Sequence, residues 1–213
     1  MSTELFIFVE QRHDDRYHLV AKDYSLIPYK DKPERKDVLH YVSQCNALKS
    51  ILCSYGNGFI NDDERFTPVD SLRGLPVSPS PGLQNFIKSL AESCVTYYAL
   101  RELTTFRWSA HSVVYSALMH EKAYAEYVKT KEPKEYCQGA SGHNAIVLTS
   151  SQMGRLLSGK LKRQPGKTYL ADVTWTWTYD KAVEQPFFVF LRNLSDRTLD
   201  ISSYHIRLTC FIR

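Results

Sequence analysis

The chain lacks any apolar run near the ~18 residues that a membrane-spanning helix needs. Its N-terminal apolar stretch, Leu5–Val9, is short and follows the acidic Glu4, which is too little for the core of a secretory leader. The sequence therefore reads as a soluble protein made in the cytoplasm. The five cysteines, Cys45, Cys53, Cys94, Cys137 and Cys210, form no CxxC pair. That excludes a zinc ribbon or a thioredoxin-type motif and points to reduced, buried thiols. None of the seven histidines falls in an HxH, HxxxH or HExxH pattern, so no local metal site is expected. The glycines of "GNG" at 56–58 are followed by no GK[ST], and "ASGHN" at 140–144 lacks the strand-to-helix setting of a nucleophile elbow. No motif calls for a cofactor. The net charge is +4 with a pI near 8.7, too weak a footprint for a dedicated nucleic-acid binder. No internal repeat, low-complexity tract or charged tail is found.

What the chain does have is apolar and aromatic material for a core. It is 43% hydrophobic and carries 14 Tyr and 10 Phe among 213 residues. Tyrosine gives contact area at low entropic cost and suits a binding surface. Residues 4–11 and 17–21 read as an opening β-hairpin across "RHDDR", with 5–9 buried on both faces. Val38, Leu39, Val42, Cys45, Leu48, Ile51 and Leu52 recur at helical spacing and predict a helix over 34–54, with Pro33 near its start. Residues 56–82 are a polar excursion containing "RGLPVSPSPG", expected to be an ordered loop within one domain. Helices are expected at 82–92, at 97–106 with Thr96 as N-cap, and at 112–131, stopped by Pro133. "AIVLTS" reads as a short strand or strand-to-helix junction. It leads into a short helix and then a basic loop at 158–167. Residues 169–179 alternate from Val173 through Trp175 and Trp177 and give the clearest strand. A helical piece at 180–194, interrupted at Pro186, and a strand at 204–212 complete the chain. Strands at both ends with helices between them predict a single α+β domain, its mixed or antiparallel sheet formed by the N- and C-terminal strands with helices packed on it.

Candidate site residues are cations beside aromatic rings, because a ring stacks on a base while a guanidinium pairs with phosphate in a bidentate fashion. Arg73, Tyr97, Tyr98, Arg101, Arg107 and Trp108 supply one such group. Arg155, Lys160, Lys162 and Arg163 supply a second, as a basic flap over an anion. The plainer alternatives stay open: helical spacing suits core packing, a basic loop can simply be solvated, and Arg73 can pair with Asp62, Asp63 or Glu64.

The run "RGLPVSPSPG … LAESCVTYYALREL" (73–82 and 90–103) resembles a signature of a family of uncharacterised bacteriophage proteins. These open on a strand like "LFIFVE", carry an RGLP segment, then an "HSxSWLTLxEL"-like helix start, and finish on a strand rich in Val, Arg and Phe. The second strand's Asp23–Tyr24, "TWTYDKAV" and "IRLTCFIR" are similar to that family. The chain departs from the pattern where Ser93 replaces the His and where Cys94, Thr96 and Tyr97 replace Ser, Ser and Trp. The resemblance implies an anti-defence accessory protein acting in the host bacterial cytoplasm, and carries over no catalytic residue. Three functions are then expected in turn. The first is a non-enzymatic sponge that sequesters a small nucleotide-derived immune signal, its sites lying between protomers of a homo-oligomer. The second is an interaction protein that inhibits a host defence protein by direct binding. The third is a nucleotide-degrading enzyme using a dispersed His and carboxylate.

Overall fold

The N-terminal hairpin is built as its sequence requires. In the computed structural model, which describes residues 3–27, 35–56, 65–88, 94–137, 144–197 and 205–213, β1 (Leu5–His13) pairs antiparallel with β2 (Arg16–Leu19). Asp14 and Asp15 form the two-residue turn with φ of 46° and 62°. Two successive positive φ values match the right-handed twist of the flanking strands, and Asp tolerates them. Leu5–Phe8 of the same edge pair with β3 (His40–Ser43). The other edge of β1 pairs along its length with β8 (Ile206–Ile212), which in turn pairs with β4 (Val95–Ala99). The sheet order is β2-β1-β8-β4, with β3 also on β1, and every pair in it is antiparallel. The expected α+β class, with terminal strands sharing one sheet, is therefore observed.

Side-chain alternation divides this sheet into two faces. Phe6, Phe8 and Glu10 share a face with Phe211, Thr209 and Arg207 and with Val95 and Tyr97. α2 (Pro81–Lys88) covers the apolar end of that face through Leu83, Phe86 and Ile87, with the Phe8 and Phe86 rings stacked at 5.1 Å. The opposite face carries Leu5, Ile7, Val9, Leu208, Cys210 and Tyr98, all fully buried. α1 (Asn46–Cys53) closes over it, and Tyr98 donates its hydroxyl to the Leu52 carbonyl at 2.7 Å. α3 (Leu100–Thr105) follows β4 directly.

Contacts group the chain into two compact units, Met1–Ser112 with Thr178–Arg213, and Val113–Trp177. The second holds a three-stranded mixed sheet in the order β5 (Ser112–His120), β7 (Thr168–Thr178), β6 (Ala145–Thr149). β6 and β7 run parallel through α5 (Ser150–Leu157), the crossover that parallel strands require. α4 (Glu121–Thr130) follows β5. Its core contains Met119, Tyr124, Met153, Tyr169, Val173 and Trp175. In the first unit α6 (Tyr179–Ala182) and α7 (Gln185–Arg197) precede β8. Pro186 lies in the first turn of α7, where its missing N–H costs no bond.

Three expected helices are corrected. Only Asn46–Cys53 of the 34–54 span is α-helical, because His40–Ser43 is drawn into an edge strand on β1; Pro33 lies outside the described residues. Residues 95–99 are strand, with Thr96 buried in it rather than capping a helix. The cap falls to Ala99, whose N–H donates to the Glu102 carboxylate at 2.7 Å. Residues 112–120 are also strand. There Val113, Ala117 and Met119 are buried while Ser112, Ser116 and His120 are exposed, a period of two that a three–four reading overlooks. The strand-to-helix junction at 149–150, the strand at 168–178 and the final strand are as expected.

Candidate functional site

The excursion "RGLPVSPSPG" is held at both ends by charged groups of the main sheet. At its start Arg73 uses all five of its N–H donors. Nε and Nη2 bond the Asp70 carboxylate at 3.2 and 2.6 Å, and Nη2 and Nη1 bond Glu102 at 2.6 and 2.8 Å. Nη1 also reaches the Tyr97 carbonyl at 3.3 Å. The Arg73 backbone N–H donates to Thr96 Oγ1 at 3.2 Å. The segment thereby covers β4, the edge strand, which is a usual way of closing a sheet edge. Hydrogen bonding to Arg73 holds the Glu102 carboxyl below its ordinary range, and does the same to Asp70. Gly74 takes φ of +70°, which turns the chain without a Cβ penalty.

At the far end the loop meets a buried ion pair. Glu10 is fully buried, and its Oε2 accepts from Arg207 Nε at 2.8 Å and from Thr209 Oγ1 at 3.0 Å. Its Oε1 accepts from the Ser80 backbone N–H at 2.8 Å. Arg207 spends its other nitrogens on the Val77 and Ser78 carbonyls, both at 3.3 Å, and stacks on the Tyr17 ring at 3.6 Å. Glu10 and Arg207 are direct cross-strand partners in the β1–β8 register. A buried pair is stable only when its remaining donors and acceptors are filled. Here the loop backbone fills them, so the pair dictates where residues 77–80 lie. Ser80 Oγ then accepts from Leu83 N–H at 3.4 Å, with Pro81 opening α2.

Beside the first anchor and between the two, the chain turns apolar side chains outward. Leu72 and Leu75 are each 47% exposed and Val77 is 84% exposed, while Pro76 between them is buried. The segment is thus fixed in shape and apolar on its outer side.

The residues expected from the sequence are distributed differently from the expectation. Tyr98 is a core side chain with its hydroxyl already bonded, and burial raises its pKa. Trp108 is buried against Phe106, Phe187 and Phe188, with Nε1 donating to the Leu103 carbonyl at 3.0 Å. Neither presents a face to a ligand. Arg73 is saturated by Asp70 and Glu102; Asp62, Asp63 and Glu64 lie outside the described residues. Tyr97 is half-buried, its ring 5.5 Å from the Arg73 guanidinium and 5.9 Å from that of Arg207. Arg101 and Arg107 are exposed. Arg155, Lys160, Lys162 and Arg163 belong to the other unit. There Arg163 grips Glu121 through two bonds of 3.1 and 2.7 Å, while Arg155, Lys160 and Lys162 are exposed. One cavity of about 240 Å³ is lined by Lys122, Ala123, Glu126, Glu132, Lys134 and Glu135 and includes none of these ten residues.

Sequence reasoning missed Glu10, Arg207 and Ser80. A signal existed: Glu10 directly follows the apolar run Leu5–Val9, and Arg207 is the one charged residue of the otherwise largely apolar last strand. A second polar cluster was also missed. Tyr41 donates to Glu184 Oε1 at 2.8 Å, and Ser43 Oγ donates to the same oxygen while accepting from Cys45 N–H at 2.9 Å. It ties β3 to the segment before α7, and burial, with Glu184 beside it, raises the Tyr41 pKa.

Among the described residues no group of three or more His, Cys, Asp or Glu could hold a metal ion, and no helix is long and apolar enough to cross a membrane. His13 lies 3.2 Å from Asp14 on the exposed hairpin turn. His40 bonds the Val38 carbonyl, and His111 stacks on Phe106. Cys137 donates to the Leu118 carbonyl at 3.5 Å, while "QGASGH" at 138–143 lies outside the described residues. Comparison with protein-family models, with curated proteins and with solved structures finds no match to the chain.

Proposed function

We propose that the chain is a non-enzymatic binding protein that inhibits another protein by docking residues 72–77 against it. The observation that carries this reading is the combination of clamp and exposure. Five guanidinium bonds and a buried ion pair hold the loop, yet Leu72, Leu75 and Val77 face water. Leaving them there gains the folded chain nothing. Fixing the loop beforehand removes most of the ordering cost of association. The partner is a protein with an apolar cleft. On the resemblance to phage proteins it would be a defence factor of the bacterial host.

The test compares capture from bacterial lysate by the intact protein and by a Leu72→Ser, Leu75→Ser, Val77→Asp variant. The expected result is one protein retained by the first and lost by the second. Loss of central apolar contacts costs about 2 kcal/mol or more of affinity, on the order of thirty-fold, with melting temperature unchanged. Equal retention by both, self-association as the sole loop-dependent contact, or nothing retained would remove this reading.

A second reading is favoured by Arg155, Lys160 and Lys162, whose cations are exposed on one short segment of the other unit. They support sequestration of a small phosphorylated, nucleotide-like signal. A thermal-shift screen with cyclic dinucleotides, cyclic trinucleotides and ADP-ribose derivatives tests it. It predicts a shift with ligand recovered intact, abolished by Lys160→Ala with Lys162→Ala. Altered ligand would mean an enzyme, and no shift would remove the reading.

A further inference from the structure

Three of the five cysteines meet at one place in the first unit. Cys53 is the last residue of α1, Cys94 immediately precedes β4, and Cys210 lies in β8. The sheet brings the last two together: Cys210 is opposite Thr96, and the Cys94 carbonyl accepts from Ile212 N–H at 3.2 Å. The Tyr98 hydroxyl bonded to the Leu52 carbonyl fixes the last turn of α1 over β4. Cys53 therefore falls beside Cys94. The Cys94 thiol donates to the Cys53 carbonyl at 3.0 Å, which sets the two cysteines side by side.

The two thiols are unequal. Cys53 is buried and Cys94 is half-buried. The hydrogen bond to Cys94, together with burial, holds Cys53 well above the ordinary thiol range. The same bond lowers Cys94 to about 7. An accessible thiol with thiolate character beside a buried, protonated one is the arrangement of an attacking and a resolving cysteine. Cys210 is fully buried, and burial raises it. Cys45 and Cys137, both half-buried, donate to the Ala182 and Leu118 carbonyls.

We propose that Cys94 is a site of oxidation by hydroperoxides and that Cys53 resolves it to an intramolecular disulfide. The Cys94 thiolate attacks one peroxide oxygen and the O–O bond breaks. The departing alkoxide, or hydroxide, takes a proton, and Cys94 becomes a sulfenic acid. The Cys53 sulfur then attacks the Cys94 sulfur. The S–S bond forms, the S–O bond breaks, and hydroxide leaves as water with the Cys53 proton. In sum two thiols and one hydroperoxide give a disulfide, an alcohol (water for hydrogen peroxide) and one water. The two electrons lost by sulfur are those that reduce the peroxide. The disulfide closes a covalent loop from 53 to 94, which contains residues 72–77. This inference is independent of the docking reading.

The test treats the intact, reduced protein with hydrogen peroxide and maps its cysteines by alkylation and peptide mass spectrometry. The expected product links Cys53 to Cys94 with loss of two hydrogens, while Cys45, Cys137 and Cys210 remain alkylatable. The melting temperature rises by about 10 °C, as for closure of a loop of this length, and dithiothreitol reverses it. Cys53→Ser should leave a dimedone-reactive sulfenic acid on Cys94. Cys94→Ser, at a position that is not fully buried, should fold and form no disulfide. Oxidation first at Cys45 or Cys137, or full alkylation of both Cys53 and Cys94 after peroxide, would overturn the proposal.

Discussion

The loops at 72–80 and 158–167 look alike as sequence. Each contains proline and glycine, and each has an arginine that could hold an anion. In the folded chain they differ. Arg73 lies against a sheet edge with two carboxylates and a carbonyl, 24% exposed, and has no donor left. Arg163 is 53% exposed and holds a single carboxylate, while its neighbours Lys160 and Lys162 face water. The difference teaches that a basic residue in a loop is defined by the acids the fold brings to it. Asp70 is near Arg73 in sequence, but Glu102 arrives through β4 and α3, and Glu10 reaches Ser80 from the first strand. The first loop becomes a shaped, neutralised surface whose outer side is apolar, and the second stays cationic.

Substitutions should separate the two loops by size of effect. Glu10→Gln leaves the Arg207 charge buried and uncompensated, which costs about 3–5 kcal/mol. Thermal unfolding should fall by about 10 °C, and residues 75–80 should become open to proteolysis. Arg73→Ala removes a half-buried pair and should cost about 1–2 kcal/mol, with faster cleavage near residue 74. Acid should act on the same clamp. Glu102 is held below its ordinary value of 4.5. Its contribution is therefore full above that value and is lost as pH falls through the lowered one. Loop cleavage by an acid-active protease should rise only below that ordinary value, and Glu102→Gln should remove most of that rise. Arg163→Ala, in contrast, should change stability by no more than about 0.5 kcal/mol, because exposed ion pairs contribute little. An equal effect of Arg73→Ala and Arg163→Ala would erase the distinction between the loops.

Much of the framework was legible in the sequence, for local reasons. "LFIFV" could only be a strand buried on both faces, "DD" between apolar runs marked a tight turn, and Val173-Trp175-Trp177 alternated without ambiguity. The misread spans were those in which two periods overlap. Val38, Val42 and Cys45 satisfy a helical spacing, yet His40–Ser43 is claimed by the open edge of β1. The candidate site was harder, since the partners of Arg73, Glu10 and Arg207 are set by sheet register, a long-range property. Tyr98 and Trp108 were singled out for their rings, but the burial of Tyr98 followed from β4 being a strand whose face meets α1, and that of Trp108 from the Phe187 and Phe188 rings of α7. Glu10 and Arg207 could have been found by asking why a charge of opposite sign adjoins the apolar run of each terminal strand.

The central claim is that residues 72–80 are held in one shape before any partner arrives. Amide hydrogen exchange on the intact protein tests it most directly, because the Arg73 N–H is bonded to Thr96 and the Ser80 N–H to the buried Glu10. The account predicts that the Ser80 amide exchanges as slowly as those of β1 and β8, that the Arg73 amide is protected to a lesser degree, and that Glu10→Gln releases Ser80. Exchange of both at the rate of an unstructured peptide would contradict it.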